Sequence, residues 1–335
     1  MIEESSSPIH AVVEQFVREE LSHENAHIAG AVWSMLDAGG KRLRPRITML
    51  AGRAVNAAAP DDPVLASYME LIHVATLIHD DVLDEADTRR GRESTNHAYG
   101  NRFSVLAGDY LFSWVFKKIT LGYAPPVPTI LAAMLAEICN GEVKQLRAAG
   151  DLAMTADRYL EIIGKKTAEL FGSCAEVGAI NALLHAGRAP GPTLRDDQDV
   201  RALREFGRLF GLAFQIRDDL YDAIADEAQL GKPAGSDLRE KKMTLPLIYA
   251  LALGGTAERE RMEALFAYDD ASSAQARPAL DRVVAVLREG PVVERTTQAI
   301  KRYAKEAAAA LQPLPPSPAR DELASLAHSL SAFSP

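Results

Sequence analysis

Two short acidic runs carry the residues best placed for chemistry. Leu77-Ile-His-Asp-Asp-Val-Leu-Asp84 sets Asp80, Asp81 and Asp84 at the C-terminal end of a strongly apolar stretch. Phe214-Gln-Ile-Arg-Asp-Asp-Leu-Tyr-Asp222 repeats the spacing with Asp218, Asp219 and Asp222. On a helix, residues four apart share a face about one turn apart, so Asp80 and Asp84 lie side by side. Like charges repel there, and the C-terminal end of a helix disfavours anions as well. A divalent cation removes both conflicts. Oxygen-only ligands point to Mg²⁺, which takes one or two carboxylates and leaves its other positions to water and substrate phosphate. A solvated acidic helix end would explain one such run. Two runs of identical Asp-Asp-x-x-Asp spacing, each embedded in apolar sequence, argue against it.

Basic residues follow a matching logic. Gly39-Gly-Lys-Arg-Leu-Arg-Pro45 puts two glycines, which permit close backbone approach, before Lys41 and Arg44. A helix C-cap with dipole-favoured cations reads the same residues without a ligand. Asp87-Thr-Arg-Arg-Gly-Arg92 sets Arg89 and Arg90 a few residues beyond the first acidic run. Cations so near a magnesium site fit a shared polyanion, and arginine grips phosphate oxygens bidentately; a solvated loop paired with nearby acids is the plainer alternative. Lys166 and Thr167 close Gly164-Lys-Lys-Thr167, and Lys232 and Lys242 flank the loop after the second run. Gly-Lys-Lys-Thr is not a phosphate-binding loop, and no Gly-x-Gly-x-x-Gly occurs, so neither a kinase nor a dinucleotide enzyme is expected.

These residues need helices to hold them. Among the 335 residues, alanine and leucine abound while aromatics make up 6%, a balance that favours helix over sheet. Periodicity and caps predict helices over about 7–21, 25–36, 46–55, 64–85, 104–119, 129–147, 155–184 (as one helix or two), 200–225 and from 244 onward. The stretch 88–99 reads as loop, and no strand ladder or repeat is apparent. With no shift of composition along the chain, residues 1–335 read as one all-α domain. Residues 1–7 are expected to be disordered, and the proline-rich 313–319 to connect to a last short helix.

A formal net charge of −9 speaks against nucleic acid as partner. Cys139 and Cys174, neither in a metal-ligand pattern, read as small core residues in a reducing compartment. The N-terminus lacks the apolar run of a signal peptide, and no segment approaches the roughly 20 apolar residues of a membrane helix. A cytoplasmic enzyme is expected.

Together the two aspartate motifs, Gly-Gly-Lys-x-x-x-Pro upstream and Arg-Arg-Gly between them resemble the trans-isoprenyl diphosphate synthases, or polyprenyl synthetases. The order of motifs agrees from about Asn25 to Tyr249. The resemblance implies an all-α isoprenoid synthase fold, a single helical bundle around a deep central cavity, as a homodimer. It implies Mg²⁺-dependent condensation of isopentenyl diphosphate with an allylic diphosphate, head to tail and trans, to a linear polyprenyl diphosphate. Three Mg²⁺ ions are implied, held by Asp80 and Asp84 on one wall and by Asp218 and Asp222 on the other. Asp81 and Asp219 complete the two motifs as catalytic residues. Arg89, Lys166 and Lys232 match positions that contact the allylic diphosphate, joined less firmly by Lys242. Lys41, Arg44, His73 and Arg90 match positions that bind isopentenyl diphosphate, and Thr167 and Gln215 positions beside the reacting carbons. No separate protein base is implied, and His79 reads as a local hydrogen-bonding residue.

Product length should depend on what blocks the cavity below Asp80. Ala75 and Thr76, five and four residues before it, are small. One turn deeper, about 5.4 Å or roughly one isoprene unit, stand Ile72 and Leu71. Ser104–Ser113 and Gly141–Gln145 resemble the long-chain synthases, whereas Trp114 departs from the small residue expected there. Phe112, Trp114 and Phe116 could form a tunnel floor or pack in the core. Lys241-Lys-Met-Thr-Leu-Pro246 lacks the glycine usual before Lys242, which implies a stiffer loop. A short-chain (farnesyl or geranylgeranyl) synthase and a non-catalytic subunit of a heteromeric synthase are the alternatives. A terpene cyclase and a di-iron bundle are disfavoured as alternatives, the cyclase because the second motif is Asp-Asp-x-x-Asp.

Overall fold

The computed structural model describes residues 8–21, 25–89, 91–224, 235–268 and 273–332. Arg90, Lys232 and residues 1–7 therefore lie outside the described residues. Among those described, regular structure is helical apart from one hairpin. The elements run α1 (Pro8–Leu21), α2 (Ala26–Asp37), α3 (Leu43–Val55), α4 (Pro63–Leu83), β1 (Thr88–Arg89), β2 (Arg92–Glu93), α5 (Thr95–Tyr99), α6 (Asn101–Gly122), α7 (Val127–Arg147), α8 (Ala156–Ile163), α9 (Glu169–His185) and α10 (Gln198–Ile224). Longer helices follow at Leu245–Phe266, Arg277–Leu287, Gly290–Ala310 and Pro318–Ser331.

Contacts divide the chain into two compact units. The first holds the described residues up to Ala132 together with Ser173–Arg204 and Leu311–Leu323. Its central element is α4. Pro63 opens the helix and Asp62 caps it, accepting the Leu65 N–H at 2.8 Å. The Asp62 carboxylate also accepts from the Tyr123 hydroxyl at 2.9 Å and from Asn181 Nδ2 at 3.0 Å. Leu65, Met69, Leu71, Ile72 and Ile78 are each at most 1% exposed. Burial on that scale is worth ~1.5–3 kcal/mol per side chain. Neighbours approach α4 and one another through glycines. A Cβ on Gly108 of α6 would lie 2.2 Å from the ring of His79, and one on Gly178 of α9 would lie 2.0 Å from the Thr48 carbonyl oxygen on α3. Lower on α4, Tyr68 meets Phe16, Trp114 and Tyr123 edge-on, with ring centroids 5.7, 5.9 and 6.4 Å away.

The second unit comprises Ala133–Gly172, Glu205–Ala310 and the described residues from Ala324. Phe171 packs against Phe210 and Phe214 at 5.2 and 5.4 Å. A Cβ on Gly207 of α10 would lie 2.4 Å from the Phe171 carbonyl oxygen, which brings these backbones into contact. Between α8 and α9 the chain makes a π turn, Gly164–Ala168, in which the Glu169 N–H reaches back five residues to the Gly164 carbonyl.

Two expectations need correction. Residues 88–99 are not simply loop: β1 pairs antiparallel with β2 around Gly91, whose φ of 75° suits glycine, and α5 follows. Strands of two residues are too short to show alternation. Cys139 is exposed on α7, so only Cys174 is a core cysteine. Burial pushes the Cys174 thiol up to about 12.

Candidate active site

In the first unit the apolar period of α4 carries the chain to Asp80 and stops at Asp84, whose N–H closes the helix on the Asp80 carbonyl at 2.8 Å. The three aspartates part company here. Asp80 and Asp84 are half-buried along one edge, while Asp81 is fully enclosed. Arg89 explains the difference. The hairpin folds it back so that Nε donates to Asp81 Oδ1 at 2.7 Å, with Nη2 on the same oxygen. Ser94 fixes the hairpin's return: its hydroxyl donates to the Ala86 carbonyl at 2.5 Å, and its N–H bonds the Asp87 carbonyl at 3.0 Å. Burial alone would lower the Arg89 guanidinium, but Asp81, Asp80 and Asp84 together raise it above its ordinary value.

The Gly-Gly-Lys-Arg loop sits in the same unit. Gly39 has φ 84° and Gly40 φ 142°. Lys41 is exposed and Arg44 half-buried, whereas Arg42 turns inward. Arg42 donates to Glu70 on α4 at 2.9 Å and to the Leu36 carbonyl at 2.6 Å, with Glu14 of α1 at 3.5 Å. His73, one turn beyond Glu70, is half-buried, and its carbonyl accepts from Thr76 Oγ1 at 2.7 Å. As expected, His79 bonds locally, to the Val105 carbonyl at 3.1 Å. Ala75 and Ile72 are enclosed in the core. Phe112 lies against the His79 ring at 5.6 Å, and Trp114 packs on Tyr68.

The second unit shows the same division of labour. On α10, Asp218 is exposed and Asp219 buried. Asp219 Oδ2 accepts from the Tyr159 hydroxyl at 2.6 Å, and Oδ1 from Gln215 Nε2 at 2.7 Å. Burial raises its carboxyl to about 6, against the pull of those two donors. Asp222 is buried too; it accepts from the Ser236 hydroxyl at 2.6 Å and the Asp237 N–H at 3.0 Å, which anchors the chain where it re-enters after the second motif. The π turn presents Lys166 and Thr167. Lys166 Nζ meets Gln145 at 2.8 Å and Glu142 at 2.5 Å, and Thr167 Oγ1 donates to Gln215 Oε1 at 2.8 Å. Gly141 makes room: a Cβ there would lie 2.6 Å from the Lys166 backbone nitrogen. Lys242 pairs with Glu240, and its N–H bonds the Asp237 carbonyl at 2.8 Å. Lys241 takes the left-handed φ of 54° where the family's glycine is usual, and is steadied by Nζ on the Phe266 carbonyl at 2.9 Å.

Sequence reasoning missed Tyr159, Glu70 and the inward role of Arg42. None of them lies in a recognisable spacing except Arg42, whose two cationic neighbours disguise it.

The donor set fits Mg²⁺. Each motif offers oxygen ligands only, and its inward aspartate is already taken by protein donors. Among the described residues no three acidic, histidine or cysteine side chains converge into a closed cage. One or two carboxylates per ion, with phosphate completing the shell, is the arrangement magnesium prefers.

The polyprenyl synthetase model matches residues 25–283. The chain belongs to the polyprenyl synthetase family. It is 36% identical to the octaprenyl diphosphate synthase of Escherichia coli K12 over 318 residues, 95% of this chain and 94% of that one. Among solved structures, a decaprenyl diphosphate synthase from Rhodobacter capsulatus superposes with TM-score 0.83 at 40% identity, covering 96% and 95% of the two chains. A polyprenyl synthase from Caulobacter crescentus, complexed with calcium and isoprenyl diphosphate, gives TM-score 0.85 at 35% identity, covering 97% and 94%. The polyprenyl synthetase fold and the leaning toward long-chain synthases are thus as the motifs led us to expect. The chain is a trans-prenyltransferase that makes polyprenyl diphosphates. No helix among the described residues is long and apolar enough to cross a membrane.

Proposed function

We propose that this polyprenyl synthetase condenses isopentenyl diphosphate with an allylic diphosphate to a long linear product, as a cytoplasmic homodimer in which residues 1–335 work as one domain. The observation that carries this reading is the shared build of the two aspartate motifs. In each, an outward carboxylate (Asp80 with Asp84, or Asp218) stands beside an inward one locked by neutral or cationic donors. The outward groups, half-buried at Asp80 and Asp84 and exposed at Asp218, suit metal binding. Asp222, which accepts from Ser236 and from the Asp237 N–H, offers carboxylate oxygens of the same kind.

Bound Mg²⁺ would supply Lewis-acid stabilisation of the departing diphosphate. Arg89, Lys166, Lys232 and Lys242 hold the allylic diphosphate and meet its charge as the allylic C–O bond breaks. Lys41, Arg44, His73 and Arg90 hold isopentenyl diphosphate so that its double bond attacks the allylic carbon. Thr167 and Gln215 stand beside the carbon that becomes cationic. That attack leaves a cation on the isopentenyl unit; the proton lost from the carbon beside it, as the new double bond forms, goes to the released diphosphate, so the chain itself supplies no base.

Length is read from α4. Ala75 and Thr76 offer little obstruction, and Ile72 and Leu71 only moderate bulk. That supports a long product.

The test is product analysis by mass spectrometry. Purified protein is given Mg²⁺, isopentenyl diphosphate and short allylic primers one at a time. Products of roughly six or more isoprene units are expected, which would bear out the small residues Ala75 and Thr76 and put the floor more than one helical turn deeper. Products of three or four units would assign the block to Ile72, Phe112 or Trp114 and make this a short-chain synthase. No condensation with any primer would sink the proposal and favour a non-catalytic subunit.

A further inference from the structure

Tyr159 belongs to none of the motifs, yet it is 3% exposed and its hydroxyl ends on a catalytic aspartate. From there a single line of hydrogen bonds runs outward. Tyr159 donates to Asp219 Oδ2 at 2.6 Å, Gln215 Nε2 donates to Asp219 Oδ1 at 2.7 Å, and Thr167 Oγ1 donates to Gln215 Oε1 at 2.8 Å. The directions are not interchangeable. A carboxylate only accepts, so Gln215 must turn its NH₂ to Asp219 and its carbonyl to Thr167. Thr167 has one proton, and it goes to that carbonyl. What the threonine oxygen has left to offer is lone pairs.

We infer that Tyr159 is a positioning residue: by anchoring Asp219 it fixes the Gln215 amide, and through it turns the lone pairs of Thr167, not its proton, toward the substrate. This rests on the proposed reading that Thr167 and Gln215 stand beside the reacting carbons. At that place the polarity matters, because an oxygen presenting lone pairs stabilises a developing allylic cation, while one presenting its proton opposes it. The effect falls on the transition state, where the charge appears, and not on the binding of either diphosphate. Without the Tyr159 hydroxyl, Asp219 Oδ2 is left buried without its donor, and the amide is free to turn over.

A double-mutant cycle tests this in the full chain with Mg²⁺, isopentenyl diphosphate and a short allylic diphosphate. Tyr159→Phe is expected to lower kcat about tenfold while both KM values stay within about twofold, the pattern of an interaction made only in the transition state. In a Thr167→Val background the same change should cause less than about a twofold further loss, because the group it acts through is gone. An unchanged kcat in folded Tyr159→Phe overturns the inference. So does an equal loss in both backgrounds, which would make Tyr159 merely structural. Should Tyr159→Phe not fold, Asp219→Leu breaks the same line at its second link and is run through the same cycle, with an equal loss in both backgrounds again overturning it. If Thr167→Val alone leaves kcat intact, the reading of Thr167 itself fails, whatever Tyr159 does, and the inference falls with it.

Discussion

Arg42 takes a left-handed φ of 44°, in a loop otherwise bent by glycines. For a residue with a Cβ that conformation costs about 1–2 kcal/mol. It persists because the buried guanidinium is fastened to Glu70, to the Leu36 carbonyl and, more distantly, to Glu14. The neighbours Lys41 and Arg44 are left facing other ways. Breaking a buried ion pair from one side strands a charge and typically costs about 3–5 kcal/mol. Glu70→Ala should therefore lower unfolding free energy by roughly that amount in urea titration, while exchanging Glu70 and Arg42 together for apolar residues should recover much of it. A loss below about 1 kcal/mol would show that the pair does not hold the loop. The sequence advertised three cations in this loop without distinguishing them. The distinction comes from Glu70, 28 residues away, and no local spacing encodes that contact.

Among elements, those with chemical punctuation were legible. Asn25 accepts the His27 N–H at 3.0 Å as the cap of α2, and Pro63 opens α4. The π turn was not legible. Its residues, Gly164 to Ala168, continue an amphipathic run that reads equally well as one helix or two. The extra residue is imposed from outside, where Gly141 of α7 lets the Lys166 backbone come close and Gly211 of α10 does so for Ala168. Such turns recur at functional sites, and here it carries Lys166 and Thr167. Gly141→Ala would put a Cβ 2.6 Å from the Lys166 nitrogen and push the turn aside. A fall in kcat of tenfold or more is expected, with a modest decrease in Tm. Unchanged kcat in a folded variant would mean that the position of the turn is not critical.

For the whole molecule, family and chemistry were readable because both aspartate motifs stand at fixed spacing in sequence. Which aspartate of each motif turns inward was not, since Arg89, Tyr159 and Gln215 decide it through tertiary contact. If the outward carboxylates are the metal ligands, Mg²⁺ and inorganic diphosphate together should stabilise the native chain by mass action, about 2.7 kcal/mol at a hundredfold excess over Kd. Thermal unfolding would register this as a rise in Tm that is absent with either component alone, lost in Asp80→Asn and Asp218→Asn, and abolished by chelation. A rise that survives both substitutions would locate the ion elsewhere.

A π turn is an α-helix carrying one residue too many. Deleting a single residue between Gly164 and Ala168 would let α8 and α9 join as uninterrupted helix, with every backbone hydrogen bond restored. The same deletion would rotate the segment by about 100° and swing Lys166 and Thr167 off their partners. The loss of one codon is therefore expected to cut activity far more than helix content, which an activity assay beside circular dichroism would check. A gene duplicate could lose that codon while keeping both aspartate motifs, so intact aspartates alone do not certify a working member of this lineage.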